Sequence, residues 1–349
     1  MNLAPARLEP RFVERIWGAR FLAPLFPERS NLPAPVGEVW LTGDDCVFAS
    51  GAFAGKRLAD AWREMPPEWR GTRLANGGPF PLLVKFIFPE EKLSVQVHPG
   101  DAYAARHHGP GFLGKTEMWY ALDARPGAKV MAGLRAGTTP QSFERAIADG
   151  TVEDCLTRIP VRAGDAVFVP AGTVHTIGPG MLLCEIQENS DITYRVFDYN
   201  RLPADGKPRE LHERQALEVA NFGAQRGARV EPVAARHGDV TETFFIACRY
   251  FATEKWEFAA AAAAATSPEH FDLIIILDGA GRIEWAGQSV DYARAQVWLL
   301  PAALGDYGLV PAQPTSLLRT YVPDLENEFP ARLASRKIPD AVRQRLIYP

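Results

Sequence analysis

The segment Ser94-Val95-Gln96-Val97-His98-Pro99 places an amide and an imidazole two residues apart in a stretch with strand character. Alternate residues of a strand share a face, so Ser94, Gln96 and His98 line one side while Val95 and Val97 pack on the other. Two more segments carry matching chemistry: Gly114-Lys115-Thr116-Glu117, and the run from Gly164 to His175 (GDAVFVPAGTVH). Together the three offer two imidazoles, a carboxylate and an amide oxygen. Imidazole and carboxylate are the ordinary ligands of a catalytic zinc that keeps a position open for water or substrate. A metal site is therefore the leading reading of these residues.

The elements that must position them are short. Gly and Pro, 29 of each, break the 349 residues into brief apolar runs, as in a β-rich fold. Strands are expected over Gly37–Leu41, Leu82–Phe88, Leu93–His98, Glu117–Leu122, Ala166–Val169, Gly180–Gln187 and Thr193–Asp198. Tight turns such as Ala163-Gly164-Asp165 favour antiparallel pairing in a barrel or sandwich over a parallel sheet. Thr139 can cap a helix that starts at Pro140 and stops at Gly150. Thr151–Arg158, Leu58–Glu64 and Leu211–Val219 are further helical candidates. A shift in composition over Phe222–His237 marks a boundary, beyond which strands alternate again without a second set of ligands. The alanines of Ala259–Ala265 read as a loop filler or a helical turn.

Composition narrows the class. A hydrophobic fraction of 47%, a charged fraction of 23% and a net charge of −4 suit a soluble globular protein and give no reason to expect nucleic acid. The longest apolar run, Leu273-Ile274-Ile275-Ile276-Leu277, has strand length and not membrane-spanning length. Four scattered cysteines (Cys46, Cys155, Cys184, Cys248) without a CxxC pair suit buried thiols in a reducing cytoplasm. The expectation is a cytoplasmic protein with no membrane or nucleic-acid partner, monomeric or weakly homo-oligomeric.

The spacing G-x5-P-x-G-x2-H over Gly164–His175 matches the second motif of the cupin superfamily. Pro179 stands where many cupins carry Asn, and the first motif has Gln96-x-His98 in place of His-x-His. In these departures the chain resembles the type I mannose-6-phosphate isomerases (phosphomannose isomerases). The resemblance runs through Trp17-Gly18, Gly37-Glu38-Val39-Trp40, Leu93–Pro99, Gly114–Trp119, Val169–His175, Glu185-Ile186-Gln187, Asp191–Tyr199 and Leu211-His212-Glu213.

The resemblance implies a cupin-type (jelly-roll) β-barrel as the catalytic metal-binding domain, over 1–235 with helical insertions, and the strand pattern beyond it predicts a second, metal-free cupin-like barrel over 236–322. Residues 323–349 would form a C-terminal extension. The resemblance also implies one Zn2+ per chain, held by Gln96, His98, Glu117 and His175. Glu117 would be the only anionic ligand, which leaves the site a net positive charge suited to a Lewis acid. His107 and His108 lie in a Gly-rich polar stretch and read as exposed loop residues.

The implied reaction interconverts mannose 6-phosphate and fructose 6-phosphate through an enediolate, with a phosphorylated hexose as the small-molecule partner. Arg195 and Lys115 would stabilise developing charge. Ser94 and Lys85 would hold the phosphate, although a lysine near a strand end is ordinarily solvated. Glu185 sits among apolar neighbours that would raise its pKa toward that of a general acid or base. Glu185, Lys115 and a metal-bound hydroxide all stand open as the proton carrier. An iron-dependent redox cupin and a non-catalytic sugar-phosphate binder are the rival readings.

Overall fold

In the computed structural model of the chain, residues 3–202, 206–223 and 229–348 are described. Residues 224–228 of the expected boundary segment lie outside them, as do the outermost residues of the expected 1–235 and 323–349 segments. The fold is mainly β and divides into two compact units. One comprises Phe12–Val39 and Lys85–Val230, the other Met1–Arg11, Trp40–Val84 and Glu231–Pro349.

The first unit is built on two sheets with open strand orders. Tyr194–Phe197, Val95–Val97, His175–Ile177, Lys129–Leu134 and Leu156–Pro160 follow one another in an antiparallel five-stranded sheet. Arg11–Ala19, Val36–Trp40, Leu82–Ile87, Met181–Glu188, Glu117–Ala124 and Ala166–Val169 form a six-stranded one. Both sheets feed one core, where Trp17, Ile87, Trp119 and Leu183 from the larger sheet meet Val130, Ile159 and Ile177 from the smaller. Removing side chains of this size from water stabilises by roughly 1.5–3 kcal/mol each. The alternation of each strand thus commits one face to the core and leaves the other for polar groups.

Helix Pro140–Ala148 forms as its sequence requires. Thr139 and Ser142 close a capping box, Pro140 takes the first position, and Phe143, Ala146 and Ile147 are buried. Three local expectations are corrected. Only Val152–Cys155 of the expected Thr151–Arg158 helix is helical, as a 3-10 turn; Leu156–Pro160 is a strand, because pairing with Lys129–Leu134 carries Ile159 into the core. The polyalanine run contains a strand, Ala262–Ala265, paired with Asp306–Pro311; sheet pairing and the burial of Ala262 override alanine's helical preference. His107 and His108 end helix Asp101–His108 and are not in a loop.

The second unit has a sheet ordered Ala6–Leu8, Val297–Leu300, Asp272–Asp278, Thr315–Tyr321, Ala252–Phe258, Val240–Cys248, Val233–His237. A four-stranded sheet runs Ala262–Ala265, Asp306–Pro311, Ala280–Trp285, Gln288–Ala293. The C-terminal segment forms helices Glu328–Ser335 and Asp340–Leu346, whose Phe329, Leu333 and Leu346 pack with Phe244, Ala247 and Tyr321. Among the described residues, no helix is long and apolar enough to cross a membrane.

Candidate metal centre and substrate cavity

Strand register assembles the site. Gln96 lies opposite His175 on one side and opposite Arg195 on the other, so the three occupy one row across three adjacent strands of the smaller sheet. Residues directly opposed in this way project to the same face. His98 follows the same strand. Glu117 opens its strand in the larger sheet, opposite Gln187 and Val169. Gly172 makes the bend that returns His175 to the sheet: its φ is +84°, and a Cβ there would meet the Val219 carbonyl at 3.0 Å. Gly114 is equally constrained, since a Cβ would fall 2.6 Å from the Asp101 amide nitrogen, so a larger residue would displace Lys115 and Glu117 behind it.

Ligand atoms of His98, Glu117 and His175 all lie within 4.8 Å of one another, and the three residues are buried. Their hydrogen bonding fixes which atoms face inward. His98 Nδ1 lies 2.8 Å from the Ile192 carbonyl and His175 Nδ1 lies 2.8 Å from that of Thr173. Each Nδ1–H is therefore engaged by backbone, and each Nε2 keeps its lone pair. Burial drops the His98 pKa to about 3 and also lowers that of His175, so both rings are neutral at pH 7. Burial alone would raise Glu117, but Lys115 and the two imidazoles hold it well below the usual carboxylate range.

His98 Nε2 and Glu117 Oε2 are buried without a hydrogen bond, and Glu117 Oε1 faces the Lys115 ammonium. Orphaned buried polar atoms are rare in folded proteins. Two neutral imidazole nitrogens and one carboxylate converging on a point fit a divalent cation. Gln96 joins them, with Nε2 3.2 Å from His175 Nε2; a half-turn of its amide presents the oxygen instead.

Beside this cluster lies a cavity of about 450 Å³ lined by Gln96, Ser94, Lys85, Lys115, Glu185 and Arg195. The structure thus brings together every site residue expected from sequence. Lys115 Nζ is 2.9 Å from Glu117 Oε1. Lys85 is buried within its strand, not solvated, and its Nζ lies 3.3 Å from Glu185 and 3.9 Å from Glu38. Trp119 donates to Glu185 at 3.0 Å. Burial, then the charge of Glu117, raises the Glu185 pKa against the opposing pull of Lys85 and Lys115. His107 and His108 lie apart from the cluster, His107 stacked on Tyr103 and His108 2.7 Å from the Tyr194 hydroxyl.

No family model matches the chain. A mannose-6-phosphate isomerase of Bacillus subtilis (strain 168) is 35% identical to it over 324 residues, covering 88% of this chain and 96% of that protein. The chain belongs to the mannose-6-phosphate isomerase family. A mannose-6-phosphate isomerase of Streptococcus mutans serotype c is 33% identical over 284 residues, covering 80% and 86%. The crystal structure of a B. subtilis mannose 6-phosphate isomerase matches with a TM-score of 0.82 at 32% identity, covering 90% of this chain and 99% of that one.

This member of the mannose-6-phosphate isomerase family also has cavity residues that sequence reasoning left without a role: Arg15, Glu38, Asp191, Arg209 and His212. Glu38, Asp191 and His212 lie inside segments that carry the resemblance, which is the one available signal. Arg15 and Arg209 had none, because sheet topology and not local pattern delivers them.

A second carboxyl pair lies behind the site. Glu188 accepts from the Thr116 amide at 2.8 Å and hydrogen-bonds Asp101, which in turn accepts from the Gly114 amide at 2.9 Å. Burial, then Asp101, pushes the Glu188 pKa from 4.5 up to about 8. The folded state thus holds a proton that the unfolded state releases, so stability falls as pH rises through this interval. Glu188→Gln is expected to flatten the pH dependence of urea unfolding between pH 5 and pH 8, by about a kcal/mol or more at the alkaline end. An unchanged slope would remove Glu188 from that role.

Proposed function

We propose that the chain is a zinc-dependent aldose–ketose isomerase that interconverts mannose 6-phosphate and fructose 6-phosphate through a cis-enediolate. One observation carries the reading: the orphaned atoms of His98 and Glu117 sit with His175 beside a cavity that also holds a buried Lys and a Glu of raised pKa. Gln96, His98, Glu117 and His175 would hold the ion, which when bound supplies Lewis acidity toward the sugar oxygens at C1 and C2. The remaining chemistry belongs to side chains. Lys115 offers N–H donors to the oxygen on which charge develops, whereas Arg195, expected to share that role, stands two strands from His175 and suits the other end of the substrate. Glu185 is the best-matched proton carrier, because a carboxylate of raised pKa can both take the C2 proton and return it to C1 near neutrality. Its bond from Trp119 leaves one oxygen, the one shared with Lys85, for that exchange.

Ser94 is buried within 3.4 Å of Gln96 and offers a hydroxyl to the phosphate. Lys85 would assist, but two carboxylates already claim most of its charge. The unit holding the cavity would be the catalytic cupin-type barrel and the other a metal-free one. A cavity of 450 Å³ is within the range of small-molecule sites and accommodates a hexose phosphate.

The test is a coupled assay for fructose 6-phosphate formation in D2O, with mannose and other phosphorylated sugars alongside. Turnover of mannose 6-phosphate with partial solvent deuterium incorporation at the transferred position is expected; no turnover would reject the reading. Glu185→Gln should lower kcat by about 10²- to 10⁴-fold with KM nearly unchanged. A kcat near wild type would pass the proton-carrier role to another group.

A further inference from the structure

We infer that Arg209, held in place by Asp198, is a phosphate-binding residue of this cavity and acts with Arg195 to fix the charged end of the sugar. The inference rests on the isomerase reading and adds a residue that no local sequence pattern marks.

Strand Tyr194–Phe197 ends at Asp198, after which Tyr199 and Asn200 take left-handed backbone conformations (φ 56° and 54°) and redirect the chain. Residues 209–212 then return alongside the strand. The His212 amide donates to the Arg195 carbonyl at 2.8 Å, and the Arg195 amide donates to His212 Nδ1 at 3.3 Å. This return places Arg209 in the cavity wall with Arg195. Asp198 is buried and grips Arg209 through two bonds, Nε to Oδ2 at 2.7 Å and Nη2 to Oδ1. The same carboxylate accepts from Arg201 at 2.6 Å. Arg201 also reaches Glu91 at 3.7 Å, so Arg209 shares Asp198 with a guanidinium that has a second carboxylate.

Among the described residues, Arg195 has no carboxylate partner of its own. Its Nη1 donates to the Glu210 carbonyl at 2.9 Å, and its Nε is buried with no partner. Burial chiefly, and then the charge of Arg209, lowers the Arg195 pKa, with Asp198 pulling the other way. The other cations of the wall are committed. Arg15 forks onto Glu38 at 2.9 and 3.0 Å, Lys85 lies between Glu185 and Glu38, and Lys115 is paired with Glu117. The wall carboxylates Glu14 and Asp191 are solvent-exposed. The Arg195 and Arg209 guanidiniums at this end of the wall suit a phosphate dianion, whose oxygens their forks match. Arg195 stands two strands from His175, about 10 Å, the length scale of an open-chain hexose phosphate lying between phosphate and metal ends.

The test uses the full, metal-loaded chain. KM and kcat are measured for mannose 6-phosphate, and inorganic phosphate is titrated by calorimetry, for wild type, Arg209→Ala, Arg209→Lys and Asp198→Asn. Arg209→Ala should raise KM and weaken phosphate binding by about 10- to 100-fold. Its kcat should stay within about threefold of wild type, the mark of lost uniform binding. Arg209→Lys, which keeps the charge and the fold but loses the fork, should show a severalfold version of the same split. Asp198→Asn should shift KM without kcat, as a positioning residue would and a merely structural one would not. KM and phosphate affinity unchanged in both Arg209 variants, or no phosphate binding to wild type, would overturn the assignment. A wild-type chain that binds phosphate but does not turn over the sugar would reject the isomerase reading alone, and calorimetry on the Arg209 variants would still decide this one.

Discussion

Glu117→Gln is expected to strip the bound metal on dialysis and to lower isomerase turnover by about 10³-fold or more. The substitution keeps the shape of the side chain and removes the one negative charge among Gln96, His98, Glu117 and His175. In the folded protein that charge is paired with the Lys115 ammonium on one oxygen, and it faces two imidazole nitrogens whose lone pairs are directed inward by the Ile192 and Thr173 carbonyls. A neutral amide there leaves four neutral ligands and the nearby Lys115 ammonium, which repels a cation. His175→Ala should give a similar loss by deleting an inward lone pair. Elemental analysis of the dialysed protein, the coupled assay and a thermal melt separate loss of metal from loss of fold. Chelation of wild type should reproduce the defect, and added divalent metal should reverse it. Retained metal with full activity in Glu117→Gln would end the proposal of a metal centre at this place.

Much of this centre could be read in advance because its geometry is local. Gln96 and His98 share a face by the period of a strand, and the turn Pro170–Gly172 aims His175 inward within a dozen residues of its start. Glu185 was legible for a similar reason, since its neighbours Leu183, Cys184 and Ile186 are apolar and bury it. What escaped the sequence depends on pairing between distant strands. Nothing around Arg209 signals a cavity; it arrives there because the chain doubles back after Asp198. Glu38 faces Lys85 only because their strands belong to one sheet. Lys85 itself reads as a surface lysine until that sheet surrounds it with carboxylates. The strand in the polyalanine run escaped for the same reason, since its partner lies more than forty residues away in Asp306–Pro311.

The cavity therefore has a charge pattern that no single segment encodes. Cations and carboxylates alternate from Arg15 through Glu38 and Lys85 to Glu185, each ion partly satisfied by the next. Such a chain fixes side-chain positions before substrate arrives, which is what proton transfer between adjacent carbons requires. It also ties Glu185 to the charge of Lys85. Neutralising Lys85 would raise the Glu185 pKa further, so a change at Lys85 alters the proton carrier as well as any phosphate contact.

The second unit holds the other large expected effect: Arg319→Ala should cost about 3–5 kcal/mol of stability. Arg319 is buried, with Nε and Nη2 donating to Asp272 at 2.9 and 3.0 Å and Nη1 donating to Glu254 at 2.6 Å. Its guanidinium also stacks on Tyr321, 4.4 Å from the ring centroid. Truncation would leave Asp272 and Glu254 buried with less compensating charge, and the penalty is mostly the desolvation of those carboxylates. Partners remain for each: Arg332 donates to Glu254 at 2.9 Å, and His270 lies 3.2 Å from Asp272 and 3.0 Å from Glu328. Burial would lower the His270 pKa, but its bonds to Asp272 and Glu328 raise it to about 9. Its contribution is complete below the unfolded value of 6.5 and is lost as pH rises through 9. The Arg319→Ala protein, which leans harder on His270⁺ to balance Asp272, should therefore destabilise more steeply than wild type between pH 7 and pH 9. Urea unfolding at the two pH values measures both effects. Replacing Arg319, Asp272 and Glu254 together by apolar residues of similar volume should recover much of the loss, because the cost lies in orphaned charge and not in the absence of ion pairs. A fall of less than about 1 kcal/mol on Arg319→Ala, in the range of an exposed pair, would show that water reaches these carboxylates and that the buried network is not what holds this unit together.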